Sequence, residues 1–213
     1  MRKVLTTSQL LVRTNPIHAY TKTEVEKAIA CGADVLMLPM VLSDKDVEEY
    51  VGYVNGRTKV CIMVETAQAL ARIDDILAVK GVDEIFIGLN DLHISMGLSF
   101  MFELLSDGLV EYVANKCKAK GVPFGFGGIA RIGDGMLPAE RILAEHVRLG
   151  SSSVILSRTF KGEVGKNAGE KVDLSEEVQK VRTAMDTIKT WSAKDYQQNC
   201  EIIAKVVKEI INR

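Results

Sequence analysis

Short apolar runs recur along the chain, each separated from the next by roughly the length of a helix. They occupy Leu10 to Arg13, Val35 to Leu38, Val60 to Val64, Ile85 to Ile87, Pro123 to Phe126 and Val154 to Leu156. Runs that stay apolar instead of alternating are what strands covered on both faces of a parallel sheet require. The intervening segments carry helical periodicity and helix punctuation. Thr23 to Ala30 starts with a hydroxyl and stops at Cys31-Gly32, a plausible left-handed terminus. Ser43-Asp44-Lys45-Asp46 opens a helix that places Val47, Tyr50, Val51 and Val54 on one side. Ala67 to Val79, Leu104 to Lys120 and a helix from Pro138 to Gly150 follow. Strands alternating with helices of this size predict parallel βα units.

The count is about six such units, where a closed TIM-type barrel has eight. The pattern therefore predicts an α/β fold of TIM-type (β/α) barrel architecture, incomplete at the N-terminus, over residues 1–160. The rhythm changes after Phe160. Residues 161–172, including Lys161-Gly162-Glu163-Val164-Gly165, read as a polar linker. Residues 173–213 read as a helical pair, Leu174 to Trp191 and Ala193 to Asn212, with start signals at Asp173 and Ser192. Val178, Val181, Met185 and Ile188, then Ile202, Ile203, Val206 and Ile210, recur at helical spacing. This C-terminal helical extension must cover either the barrel flank or a neighbouring subunit.

Bulk properties narrow the function classes. The 213 residues are 47% hydrophobic and 26% charged, and the formal net charge is -1. That balance gives no electrostatic case for nucleic acid or an acidic membrane. Cys31, Cys61, Cys117 and Cys200 form no C-x-x-C pair and read as small buried thiols in a reducing, cytoplasmic setting. The N-terminus lacks a signal-peptide pattern, and the longest apolar run, Val35 to Leu42, is broken by Pro39.

The chemistry collects at the strand ends, where parallel sheets place their sites. Arg13 ends the first strand, Pro39-Met40 the second, Glu65 the third, Asn90-Asp91 the fourth, Gly127-Gly128 the fifth and Ser157-Arg158 the sixth. Adjacent strands lie about 4.8 Å apart and oxygen ligands sit about 2.1 Å from Mg²⁺. Glu65 and Asp91 on neighbouring strand ends can therefore share a hard divalent ion. Arg13 has the fork for a substrate carboxylate; the competing role is a structural ion pair with Glu65 or Asp91. N-capping is the corresponding structural role for Glu65 and Asn90-Asp91. Of the three histidines, His146 falls mid-helix and reads as structural, His18 follows Arg13, and His93 lies two residues beyond Asp91 as an acid–base candidate. Gly125-Phe126-Gly127-Gly128 lacks the spacing of a nucleotide loop, so Gly128 reads as a point of close backbone approach to a substrate or as plain strand packing.

Val60-Cys61-Ile62-Met63-Val64-Glu65-Thr66, Val82-Asp83-Glu84-Ile85-Phe86-Ile87-Gly88 and Asn90-Asp91-Leu92 resemble the HpcH/HpaI aldolase and citrate lyase β-subunit family of phosphoenolpyruvate/pyruvate-binding barrels. Ala33 to Met40 and Leu11-Val12-Arg13 extend the resemblance over about Leu10 to Gly97, and more weakly to Ser157. The resemblance implies Mg²⁺ or Mn²⁺ on Glu65 and Asp91, Arg13 on the carboxylate of a small 2-oxo acid, and supporting contacts from Asn90, Asp91, Pro39 and Gly128. It also implies a homo-oligomer, with an aldehyde or acyl-CoA-type second substrate. Departures accompany it. Gly88-Leu89-Asn90-Asp91 stands where many family aldolases read Gly-Pro-Ala-Asp, and Met63 stands at a metal-proximal glutamine. The family's first two strands, with their general base, have no visible counterpart, for which truncation is the expected explanation. The implied activity is a divalent-metal-dependent carbon–carbon lyase. The alternatives are phosphoenolpyruvate chemistry on the same fold, to which Asn90 points, and a non-catalytic barrel-derived subunit.

Overall fold

A computed structural model describes residues 2–162 and 172–212. Six strands, β1 (Leu11–Arg13), β2 (Val35–Leu38), β3 (Lys59–Val64), β4 (Glu84–Ile87), β5 (Phe124–Ile129) and β6 (Ser153–Leu156), form one sheet in sequence order. Every neighbouring pair is parallel, so the sheet curls as an incomplete TIM-type barrel. Most of the linker expected at 161–172 falls outside the described residues.

The sheet's two faces are both apolar, which explains the continuous runs in sequence. One face packs against helices through Leu36, Leu38, Val60, Ile62, Val64, Ile85, Ile87, Phe124 and Phe126 in the main core. The opposite, concave face carries a second cluster of Val35, Met37, Cys61, Met63 and Phe86. Register fixes this face row by row. Arg13 pairs with Met37, Met37 with Cys61, and Met63 with Phe86. Toward the open sides the concave face meets solvent: Leu11 on β1 and Ile155 on β6 are each 45% exposed.

Helices α1 (Thr21–Ala30) and α2 (Asp44–Val54) follow β1 and β2, the second closed by a capping box between Ser43 and Asp46. The single helix expected over 67–79 is two, α3 (Ala67–Ala71) and α4 (Ile73–Ala78), broken at Arg72. A short helix, α5 (Leu89–Ser95), follows β4 and was not foreseen. The helix expected over 104–120 is likewise divided into α6 (Glu103–Ser106) and α7 (Leu109–Lys120), because Gly108 adopts φ 81°. Gly127 and Gly128, expected after the fifth strand, lie within it; β5 runs on to Ile129 through a register shift between Gly125 and Gly128. Of the cysteines, Cys61 and Cys117 are buried, but Cys31 is exposed because it terminates α1 on the outer surface.

Helix α8 (Ala139–Leu149) precedes β6, and α9 (Leu174–Ile188) and α10 (Ala193–Ile211) end the chain. The last two pack on the body of the same chain, α9 against α8 and α10 against α8 and α6. A buried polar network fastens them. Glu145 on α8 is 2% exposed, and its Oε2 accepts from Arg148 Nε at 2.8 Å. Its Oε1 accepts from Asn199 Nδ2 at 3.1 Å and Cys200 Sγ at 3.4 Å, both on α10. Arg148 also forks onto Glu111 of α7 at 3.0 and 2.9 Å. Among the described residues no helix is long and apolar enough to cross a membrane.

Candidate active site

The alternation that puts Met63 on the concave face puts Glu65, two residues on, there too. Gly88 N donates to Val64 O at 3.1 Å, so the β3–β4 ladder continues past the strand ends and sets Gly88 beside Glu65. A Cβ at Gly88 would lie 2.6 Å from Glu65 Oε2 and 2.8 Å from Glu65 Cβ. Only glycine leaves room for the carboxylate. Its other oxygen, Oε1, accepts from Met40 N at 2.9 Å. Met40 reaches that position with φ 53°, a left-handed conformation unusual for a side chain of this size. The strained turn after β2 thus aims an amide at the carboxylate ending β3.

Glu65 is 2% exposed, and its Oε2 has no hydrogen-bond partner. Burial pushes the carboxyl above its ordinary value; the Met40 amide opposes this, the Asp91 charge adds to it, and the Arg13 charge opposes it. Asp91 and Arg13 are therefore both within electrostatic reach of one carboxylate. Asp91 is exposed in the first turn of α5, where Asn90 Nδ2 donates to its Oδ1 at 3.3 Å. Arg13 is exposed at the end of β1, and it forms no ion pair or hydrogen bond with a described residue. Its fork is open to a ligand.

Glu65 thus feels the charges of both Asp91 and Arg13, with Asn90 beside Asp91 and Pro39 buried just before Met40. The structure does not bring His93 to them. Asp91 and His93 lie two positions apart on α5, about 200° around a helix of 3.6 residues per turn, so they face opposite ways. The His93 ring nitrogen instead meets Leu89 O at 3.3 Å. His18 is engaged with Glu24 at 3.4 Å and Tyr20 N at 3.1 Å. Gly128 lines a separate cavity one strand further round the rim. Sequence reasoning missed the Met40 amide and the reason for Gly88; nothing in a Pro-Met pair signals a left-handed turn.

Among the described residues no group of three or more His, Cys, Asp or Glu side chains clusters as a metal site. A hard divalent ion does not need three. Mg²⁺ is commonly held by one or two carboxylates, with water and substrate completing its shell. An unpartnered buried carboxylate oxygen facing a second carboxylate fits such an ion, because an uncompensated buried charge is costly.

A parallel, partly closed (β/α) sheet with two carboxylates and an arginine on its C-terminal rim defines the class: a TIM-type barrel protein with an acidic rim site. The HpcH/HpaI aldolase/citrate lyase family matches residues 2–124, more than half of the chain, and the chain belongs to that family. A hydroxypyruvate/pyruvate aldolase of Rhizorhabdus wittichii is 36% identical over 77 residues, 33% of this chain and 31% of the relative. The chain thus spans under a third of the length of the curated relatives it matches. RipC from Yersinia pestis shares the fold with TM-score 0.60 at 15% identity, over 88% of this chain and 79% of RipC. The citrate lyase beta subunit of M. tuberculosis, solved with oxaloacetate and magnesium, does so with TM-score 0.57 at 20% identity, over 82% and 72%.

Proposed function

We propose that this chain is a divalent-cation-dependent carbon–carbon lyase that cleaves or forms a bond beside the enolate of a pyruvate- or oxaloacetate-type acid. The observation that carries this reading is the buried, unpartnered oxygen of Glu65, set against Asp91 and within reach of the Arg13 charge. The magnesium, pyruvate and oxaloacetate found with structural neighbours support the same choice of ligand. Glu65 and Asp91 would hold Mg²⁺ or Mn²⁺, which supplies Lewis-acid stabilisation of negative charge developing on a keto oxygen.

The chain's own groups do the rest. Arg13 binds the acid's carboxylate through its fork and sets which end of the substrate faces Glu65. The Met40 amide holds Glu65 Oε1, leaving Oε2 as the group that faces the site. Met63 and Phe86, buried below, keep water from the floor and raise the strength of each electrostatic contact.

The test is Mg²⁺-dependent binding and release of pyruvate. Isothermal titration of wild type with pyruvate should show binding only when Mg²⁺ or Mn²⁺ is present, and 4-hydroxy-2-oxo acids should release pyruvate. Arg13→Met should weaken pyruvate by at least tenfold, since a charge-assisted bidentate contact is worth about 1.5–3 kcal/mol, while leaving the cation's own affinity within about twofold. Pyruvate binding that ignores both the cation and Arg13 sinks the reading.

Gly88→Ala provides a sharper geometric check. The added methyl must shift the whole Glu65 side chain, whose Oε2 and Cβ would lie 2.6 and 2.8 Å away. Loss of such a support costs about 10–100-fold in metal affinity. Titration of Mn²⁺ by electron spin resonance should show that loss alongside a wild-type circular dichroism spectrum; unchanged Mn²⁺ affinity would mean Glu65 is not a ligand.

A further inference from the structure

The cavity that holds Gly128 has a volume of about 440 Å³ and opens on the same rim as Glu65. Its walls come from the C-terminal ends of β5 and β6, the 131–137 loop, α8 and the segment before α6. Phe100, Met101, Phe102, Leu137 and Ile142 make it apolar. The charged side chains on the wall, Arg131 and Asp134, meet each other at 3.1 Å, so they balance one another across the loop. Packing ties the cavity's strand to the helix of the acidic site: at Gly127 a Cβ would lie 2.8 Å from Leu89 Cδ1, and Leu89 opens the helix that carries Asp91. One step along β5 from that contact is Gly128.

We infer that this cavity takes the apolar substituent of an aldehyde, the second substrate of the reaction proposed above; the inference rests on that reading. The bond joins the former methyl carbon of pyruvate to the aldehyde carbon. The methyl group gives up a proton, its electron pair forms the C–C bond, and the carbonyl π pair moves to oxygen, which takes a proton. The product is a 4-hydroxy-2-oxo acid, and cleavage reverses each step without an oxidant or reductant. With the acid's carboxylate on Arg13 and its keto end toward Glu65 and Asp91, the group carried by the aldehyde carbon extends along the rim to Gly128.

Size and lining select its chemistry. An apolar cavity of about 150 Å³ already accepts a benzene-sized ligand, so about 440 Å³ accommodates an aryl or branched alkyl group with space to turn. Methionines adapt their shape to different apolar guests, and Met101 and Met136 both lie on the wall. A small hydroxylated aldehyde would bury its hydroxyls against phenylalanine and leucine. A thioester with a polyphosphate arm would find the wall's one guanidinium already paired with Asp134.

The test compares benzaldehyde with glycolaldehyde and with a coenzyme A thioester as partner for pyruvate and Mg²⁺, reading product by mass spectrometry. In the same samples, benzyl alcohol, an unreactive analogue, is titrated against the Met101 and Met136 methyl resonances. Benzaldehyde should react at least tenfold faster than glycolaldehyde. Met101→Trp, which fills the cavity from a partly exposed position, should erase that preference and weaken benzyl alcohol tenfold, read at Met136. Met136→Trp, at a residue 73% exposed, is the second variant and should act in the same direction without risk to the core. Both should bind Mg²⁺ and pyruvate as wild type does. The inference is overturned if glycolaldehyde or the thioester is preferred, or if filling the cavity changes nothing. If no aldehyde reacts, binding decides: benzyl alcohol that leaves both methyls unmoved overturns it, and displacement by either tryptophan upholds it. Loss of Mg²⁺-dependent pyruvate binding with benzyl alcohol still seated would instead strike the lyase reading and spare the cavity as an apolar site.

Discussion

In divalent-free buffer at neutral pH, Glu65→Gln is expected to melt above the wild-type chain, yet to lose all stabilisation by Mg²⁺ or Mn²⁺. Both effects have one origin. The buried Glu65 carboxyl titrates above its ordinary 4.5, first because of burial and then because of Asp91, against the Met40 amide and Arg13. The folded chain therefore holds a proton that the unfolded chain has released, so this group's contribution falls as pH rises from 4.5 through the higher folded value. The full cost is present once pH exceeds that folded value. Glutamine carries no charge, and its amide can donate toward Asp91. Relief of a buried unsatisfied group is worth about 1–3 kcal/mol, which is about 2–12 °C in a domain of this size. Conversely, Mg²⁺ at a hundredfold excess over its dissociation constant stabilises the wild type by about 2.7 kcal/mol. Calorimetry with and without 10 mM Mg²⁺ (an assay condition) reads both arms. A Glu65→Gln chain that melts lower than wild type, or still gains from Mg²⁺, would remove Glu65 from the site.

The second large effect is acid lability centred on His146. Its ring stacks on Phe126 with centroids 3.7 Å apart, its Nδ1 meets Ser151 Oγ at 2.8 Å, and its Nε2 is buried without a partner. Burial pushes the imidazole from 6.5 down to about 3. Between those values the unfolded chain binds a proton that the folded chain refuses, so stability is complete above pH 6.5 and drains as pH falls toward 3. The slope approaches about 1.4 kcal/mol per pH unit, so about 2 kcal/mol is lost between pH 6.5 and 5. Glu65 works the other way in acid, and the lowered carboxyls of Asp34, Glu26 and Glu111 begin to cost only nearer pH 4.5. Urea unfolding of wild type and His146→Leu at pH 7 and pH 5 isolates the histidine. Equal losses in the two proteins would assign the acid lability elsewhere.

The sheet was legible in the sequence because burial on both faces leaves an unbroken apolar signature. Val35 to Leu38 was placed to the residue, and the other strands to within one residue at their starts. Local backbone chemistry was less legible. Arg72 interrupts a helical pattern without a breaker residue, and Gly108 ends α6 inside a segment whose apolar spacing alone reads as continuous. The glycines of β5 looked like a loop because glycine is poor in strands, whereas here they lie where the concave face is crowded. At the rim, Arg13, Glu65 and Asp91 were legible as strand-end charges, since parallel order converts sequence spacing into adjacency. His93 lies near Asp91 in sequence but faces away from it, because the helical turn of α5 separates the two by about 200°. The Met40 amide was invisible, since it belongs to a backbone conformation and not to a side chain.

The Glu145 network bears on how the molecule comes apart. A helix held only by an apolar stripe can peel away and expose some greasy surface; α10 cannot leave so cheaply. Its departure strips Asn199 and Cys200 from the Glu145 carboxyl buried between α8 and α10, and Arg148 alone must then satisfy both Glu145 and Glu111. Fraying at the chain's end is thereby coupled to the heart of the last βα unit. Amide protons in α8 and α10 should exchange on a common timescale, as one foldon.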